Sequence, residues 1–350
     1  MMDQRIFYQL CKFNSSSSIS RRAHVSLGLK CSYKCSFCYY NKHRSSNFYS
    51  EDSIIQYLDF LYKYGIEDIE FTGGEPLEYD RKSFLKIIEY ASKKFSNIAV
   101  ITNGIRKNGS LKDLFSAGIN EVLFSLHGYN KTSHEKITGI KNSFNDIINS
   151  IDEAKANNIK VRINTVIHNN NYKTLVNHAC LIKRYFHDVF AINYLPINTW
   201  DDAANNLSIV VPYSYYNDEL YKSIILLKGN VERIAIRYIP FCMVDRSLWK
   251  YVYNQAQHIY DKYDWNKELD GHTINTDLLN YPYGYFSKRT VYENRLNFYC
   301  KSKECIHCSN FYICDGVQKN QLYNKMIPKS EDINKDCMIY INNGLQNVLD

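Results

Sequence analysis

The chain has 350 residues, 45% of them hydrophobic and 23% charged, with a formal net charge of +7, which suits one large α/β barrel or two domains with a sizeable core. The positive excess is small and scattered, unlike the dense basic stripe of a non-specific nucleic-acid binder, and no apolar run reaches the roughly 18–20 residues of a membrane span. The N-terminal MMDQRIFYQL has no apolar signal core, so the 11 cysteines are expected to be reduced in the cytoplasm, where close-spaced cysteines serve metals or catalysis.

Residues 1–20 end in a serine run, Ser15 to Ser18, and read as a lead-in. From there a strand–helix rhythm begins. Short β-branched or aromatic runs followed by turn residues predict strands at His24–Leu29, Asp68–Thr72, Ile98–Thr102, Glu121–Ser125, Val161–Val166 and Val189–Leu195. Apolar residues at three- and four-residue steps predict helices at Ser53–Tyr64, Ser83–Phe95, Leu111–Ala117, Phe144–Asn157 and Thr174–Phe186. Six alternating units imply a parallel sheet, either a partial barrel or doubly wound. Residues 21–196 form this unit, and residues 197–230 a connection with a helix at Tyr215–Leu227. Residues 231–350 are expected to be a smaller α+β domain with a strand at Arg233–Tyr238, the aromatic stretch Tyr251–Trp265 and a second cysteine group.

The motifs fall where such sheets keep their active sites, at the carboxyl ends of strands. After strand one comes Cys31-Ser-Tyr-Lys-Cys35-Ser-Phe-Cys38, three thiols separated by three and two residues. Iron–sulfur clusters normally take four thiolates, so three leave one iron open to a ligand that is not protein. A Cys₃His zinc site completed by His43 is the competing reading. Gly73-Gly74-Glu75-Pro76 follows strand two, Asn103-Gly104 strand three, and Ser125 and His127 close strand four.

Together these motifs resemble the radical S-adenosylmethionine enzymes over residues 21–196. The resemblance implies a partial (β/α)6 TIM-like barrel and a [4Fe–4S] cluster on Cys31, Cys35 and Cys38. The open iron of that cluster chelates S-adenosylmethionine, which is cleaved reductively to a 5′-deoxyadenosyl radical that takes hydrogen from substrate. It also implies a cofactor-binding set. Gly73 and Gly74 let backbone approach the ligand, Glu75 accepts from its ammonium or holds the rim, and Asn103 stands beside them on strand three. Ser125 and Asn164 suit its hydroxyls and carboxylate, while Phe37, Tyr39 and Leu195 pack on adenine. Many relatives carry Asp after the fourth-strand Ser-Leu and an Arg-Gly later; His127 and Thr138-Gly139 stand there in this chain.

Cys305-Ile-His-Cys308 and Cys314, with Cys242, Cys300 and Cys337 around them, resemble the auxiliary-cluster module called SPASM or, shortened, twitch. The full pattern has a cysteine where Gln318 stands, so one auxiliary [4Fe–4S] cluster is expected, on Cys305, Cys308 and Cys314 with Cys242 or Cys337 fourth; structural zinc is the alternative. A spare thiol, Cys300 or Cys337, is a candidate hydrogen-atom donor, and His127 a candidate catalytic histidine. The aromatic and acidic stretch 257–266 either lines the barrel mouth or forms a packing seam. Expected partners are an electron donor such as flavodoxin or ferredoxin and a peptide or small natural-product substrate that is oxidised, cross-linked or epimerised, with no membrane or nucleic-acid partner. Thirty residues precede Cys31, so leader-peptide binding would fall to a separate protein. Aminosugar or alcohol dehydrogenation by the same chemistry, and a non-catalytic iron–sulfur or zinc protein, are the alternative functions.

Overall fold

The computed structural model describes residues 21–38, 40, 47–63, 65–186, 188–199, 207–255, 298–311 and 313–319. Tyr39, His43, Cys337, the lead-in and the stretch 257–266 lie outside the described residues.

Eight strands form one parallel sheet in sequential order. They are β1 (Arg22–Ser26), β2 (Asp68–Thr72), β3 (Asn97–Thr102), β4 (Glu121–Ser125), β5 (Lys160–Ile167), β6 (Ala191–Pro196), β7 (Arg233–Arg237) and β8 (Val252–Tyr253). The helices are α1 (Glu51–Lys63), α2 (Arg81–Ser92), α3 (Lys112–Ala117), α4 (Lys131–Thr138), α5 (Ser143–Ala156), α6 (Leu175–Tyr185) and α7 (Tyr213–Leu227). The sheet curls into an open partial barrel, in which, among the described residues, β1 and β8 are edges and do not pair. A two-stranded antiparallel sheet, β9 (Tyr299–Cys300) with β10 (Val317–Gln318), follows.

The sheet is larger than the six-unit expectation. The Arg233 strand pairs with β6 and carries β8 in turn, so the barrel sheet continues beyond Pro196. Strand β1 starts and stops earlier than expected because Gly28 turns the chain at φ 115° and bridges to Phe48. Helix α4 has no counterpart in the sequence reading. Its eight residues bury His134, Ile137 and Thr138 and give little apolar periodicity. What starts it is a capping box between Asn130 and Ser133, and what stops it is Gly139 in the left-handed region at φ 69°.

The helices form the outer layer for the usual reason. In α1, Ile54, Tyr57, Leu58 and Leu61 are buried on one face, while Glu51 and Asp52 in the first turn and Lys63 in the last complement the helix dipole. The inner face of the sheet is different. Strand alternation puts Arg22 and His24 of β1, Glu70 of β2, Glu121 of β4 and Arg162 of β5 on it. Arg22 donates to both carboxylate oxygens of Glu121, at 2.7 and 3.2 Å. Arg162 pairs with Glu121 at 2.6 Å and with Glu70, and His24 meets Glu70 at 2.9 Å. Burial alone would raise the Glu70 carboxyl; the charge of Arg162, then His24 and Arg22, overcome it and hold it well below the usual range. Buried ions are tolerable only when paired in this way.

Candidate active site

The cysteine loop leaves β1 and runs against the end of β2. Leu27 N–H donates to Thr72 O at 2.9 Å, Gly74 N–H to Gly28 O at 2.7 Å, and Glu75 N–H to Lys30 O at 2.8 Å, which extends the β1–β2 pairing into the loop. This is what the two glycines serve. A Cβ at Gly73 would lie 2.2 Å from Gly28 O, and one at Gly74 2.0 Å from Lys30 O. Both glycines thus admit close approach of the chain's own backbone.

Glu75 is 1% exposed. Its Oε1 accepts from Leu77 N–H at 2.9 Å and from the Thr102 hydroxyl at 2.5 Å, and its Oε2 from Asn103 N–H at 2.8 Å. Through these bonds Glu75 ties the turn after β2 to the end of β3. Burial pushes its carboxyl up to about 7 against the pull of those three donors. Asn103, fixed this way, points its side-chain amide at Cys31 Sγ, 3.8 Å away.

The far side of the loop rests on α4. Lys34 N–H donates to Thr138 O at 3.0 Å and Ser36 N–H to Ile137 O at 3.2 Å. Thr138 and Ile137 therefore serve the loop through their backbone carbonyls. Ser36 Oγ meets His168 Nε2 at 2.8 Å, and the Phe37 ring stands edge-on to His127, with centroids 4.9 Å apart. His127 is 3% exposed, its Nδ1 accepts from Val166 N–H at 3.3 Å, and burial followed by the neighbouring histidines holds it neutral. The candidate catalytic histidine is placed as a packed ring beneath the loop.

Phe37 and Leu195 meet on a small apolar cluster of Val166, Ile197, Ile209 and Val210, separate from the main core. One step down the strands, Ser125, Asn164 and Asn193 lie in one register across β4, β5 and β6. Asn193 Nδ2 donates to Asn164 Oδ1 at 2.6 Å. The sequence reading missed Asn193, His168 and the charged inner face. A signal for the charged inner face was present: polar residues two apart in Arg22-His24-Ser26 and Arg162-Asn164 mark a polar inner face.

Cys305 and Cys308 lie on a 3-10 turn (Lys303–His307) and its cap, with Cys308 N–H bonded to Cys305 O at 3.0 Å. Cys314 Sγ accepts from Gly316 N–H and Cys300 Sγ donates to Val317 O, both at 3.4 Å. Cys242 lies on another 3-10 turn (Phe241–Met243). Gln318, fully buried, accepts from both Thr199 N–H and the Thr199 hydroxyl at 2.8 Å, tying this segment to the loop after β6. No disulfide joins the nine described cysteines to one another. Among the described residues no three Cys, His, Asp or Glu side chains converge as a metal-holding group. The donor chemistry of the first loop nonetheless fits an iron–sulfur cluster: three half-buried thiols on one segment, anchored on both sides.

Residues 25–182 match the sequence profile of the Radical SAM superfamily. The chain is 31% identical over 150 residues to the GTP 3′,8-cyclase of Aquifex aeolicus, covering 41% of this chain and 46% of that protein. It is 30% identical over 166 residues to that of Clostridium perfringens, covering 45% and 50%. It thus spans about half the length of these curated relatives. In fold it is similar to Streptococcus suis SuiB bound to S-adenosylmethionine, with a TM-score of 0.59 and 14% identity over 95% of this chain and 80% of that one. It is similar too to anSMEcpe with bound AdoMet and Kp18Cys peptide, with a TM-score of 0.55 and 16% identity over 93% and 97%. No described helix is long and apolar enough to cross a membrane. The segment that holds the cysteine trio and its rim is thus the part of the chain that matches the Radical SAM superfamily.

Proposed function

We propose that the chain is a radical S-adenosylmethionine enzyme that abstracts hydrogen from a peptide or small natural product, with one auxiliary cluster in its C-terminal segment. The observation that carries this reading is the convergence at one rim of the cysteine loop, the Gly73-Gly74-Glu75 turn, the Ser125–Asn164–Asn193 row and the Phe37–Leu195 wall. Cys31, Cys35 and Cys38 would hold the cluster. Bound there, a [4Fe–4S] cluster would supply one-electron reducing chemistry toward S-adenosylmethionine, with a flavodoxin- or ferredoxin-type protein as electron donor. Asn103 orients toward the first thiol. Ser125 and Asn164 offer hydroxyl and amide groups to ribose or carboxylate, and Phe37 and Leu195 give adenine an apolar seat. The apolar wall would help to keep water from a reactive intermediate.

The C-terminal segment supports the substrate half of the reading. Cys305, Cys308 and Cys314 would hold the auxiliary cluster, with Cys242 or Cys337 as fourth ligand, leaving Cys300 as a spare thiol. The two peptide- or cofactor-bound structures noted above resemble this chain over 93–95% of its length, beyond the part that matches the superfamily profile. A purine nucleotide is the second reading, favoured by the identity to GTP 3′,8-cyclases. That identity covers less than half of the chain. Anaerobic incubation of the reconstituted protein with S-adenosylmethionine, dithionite and GTP separates them. The peptide reading expects GTP to be recovered unchanged, and conversion of GTP to a cyclised nucleotide would replace it. Iron analysis tests the second cluster: about eight irons per chain are expected, falling to about four in Cys308→Ala.

A further inference from the structure

We propose that His168 is a positioning residue for the cysteine loop, gripping it through Ser36 so that Cys35 and Cys38 are held where the cluster needs them. The inference rests on the radical SAM reading only for what the loop carries; the grip itself is geometric.

Ser36 lies between Cys35 and Phe37. His168, 0% exposed just after β5, places Nε2 2.8 Å from Ser36 Oγ. Its other ring nitrogen, Nδ1, accepts the Asn170 N–H at 3.0 Å, so the ring proton sits on Nε2 and donates to the serine oxygen. The histidine is itself anchored. Its N–H donates to Asn171 Oδ1 at 2.7 Å, and Asn171 Nδ2 donates to His127 O at 2.7 Å and Val166 O at 2.8 Å. One buried asparagine thus ties together the strand ends that meet Ser36 and, through the ring of His127, Phe37. Two successive loop residues are held from β4 and β5. Cys31 is held separately, from the β2–β3 side, by Asn103 and the Gly28–Gly74 pairing.

That division makes the grip testable without any cluster. In the reduced, metal-free full chain, alkylation by N-ethylmaleimide is followed by mass spectrometry at each cysteine. His168→Ala is expected to speed labelling of Cys35 and Cys38 roughly fivefold, the equivalent of one net hydrogen bond, while Cys31 and the exposed Cys180 keep their rates. Ser36→Ala should match it and the double variant add nothing further. His168→Gln, whose amide can still donate, should restore the slow rates. Unchanged labelling at Cys35 and Cys38, a rise shared by Cys31 and the C-terminal cysteines, or no rescue by glutamine would overturn the proposal. Reconstitution then separates it from the family reading. If wild type binds no iron, that reading fails while the labelling result stands. If iron binds, His168→Ala should lose it faster to a chelator than wild type.

Discussion

The two cysteine groups of this chain are built on opposite plans. The first sits on a loop whose backbone pairs with the end of β2 on one side and α4 on the other, with Ser36 bonded to His168 and Glu75 to Asn103 beside it. The second sits on short 3-10 turns beside a sheet with two residues per strand, joined to the barrel by Gln318, Asp315 and Asn254. A loop fastened in apposition to a barrel rim keeps its geometry before any metal arrives. A segment of short turns leaves more of its geometry to be supplied by the metal, as small metal-organised modules do. The expected consequence is that substitutions near the first group cost stability of the whole fold, whereas those near the second cost metal.

The largest effect should come from Gly74→Ala. The new Cβ would lie 2.0 Å from Lys30 O, backbone against backbone with no flexible end to yield, so a loss of about 3 kcal/mol or more is expected in urea unfolding. The same change at Gly229, which has a positive φ but open space around it, should cost only about 1 kcal/mol. Similar losses at both would remove the close-packing account.

Glu75→Ala comes next. It leaves the Leu77 and Asn103 N–H groups and the Thr102 hydroxyl without their acceptor, and about 3 kcal/mol should be lost. Glu75→Gln should cost about 1 kcal/mol, since an amide resembles the neutral acid that burial favours. Thermal melts of the two variants decide it, and equal losses would mean the charge, not the acceptors, is what matters.

Acid should expose the histidines beneath the loop. Burial holds His168 and His178 down at about 4 and His134 at about 3. The unfolded chain takes up protons near 6.5 that the folded chain refuses, so their contribution is intact above about 6.5 and is lost as pH falls toward 4. Glu75, raised to about 7, acts in the opposite sense: its contribution is present below its unfolded value and lost as pH rises through about 7. Three histidines outweigh one glutamate, so urea midpoints should fall between pH 7.5 and pH 5, and His178→Gln should shrink the drop. A midpoint that rises on acidification would contradict the neutral, packed histidines. A modest effect, about 1–2 kcal/mol, is expected for Gln318→Ala, with the first cysteine group's metal binding unchanged.

Much of the barrel was legible in the sequence, and the reason is local. Asp68–Thr72 and Glu121–Ser125 are as read, because each is a short β-branched or aromatic run bounded by turn residues. The rim motifs were legible because cysteine spacing and paired glycines are contiguous. What escaped depends on partners far apart in the chain. Ser36 and His168 are 132 residues apart, and Arg22 and Glu121 are 99 apart. Neither half of such a pair is remarkable alone: an isolated serine and an isolated histidine predict nothing. The role of Gly74 was half legible. Its need for smallness showed, but only the fold reveals that Lys30 is what presses on it.

The central claim is that the anchored trio supports reductive cleavage of S-adenosylmethionine. Its most direct test is formation of 5′-deoxyadenosine by the anaerobically reconstituted full chain with S-adenosylmethionine and dithionite, wild type against Cys35→Ala. Since loss of groups merely supporting a metal ligand costs about 10–100-fold, loss of a ligand should lower the yield by more than about 100-fold. No 5′-deoxyadenosine from wild type, or equal amounts from Cys35→Ala, would contradict it.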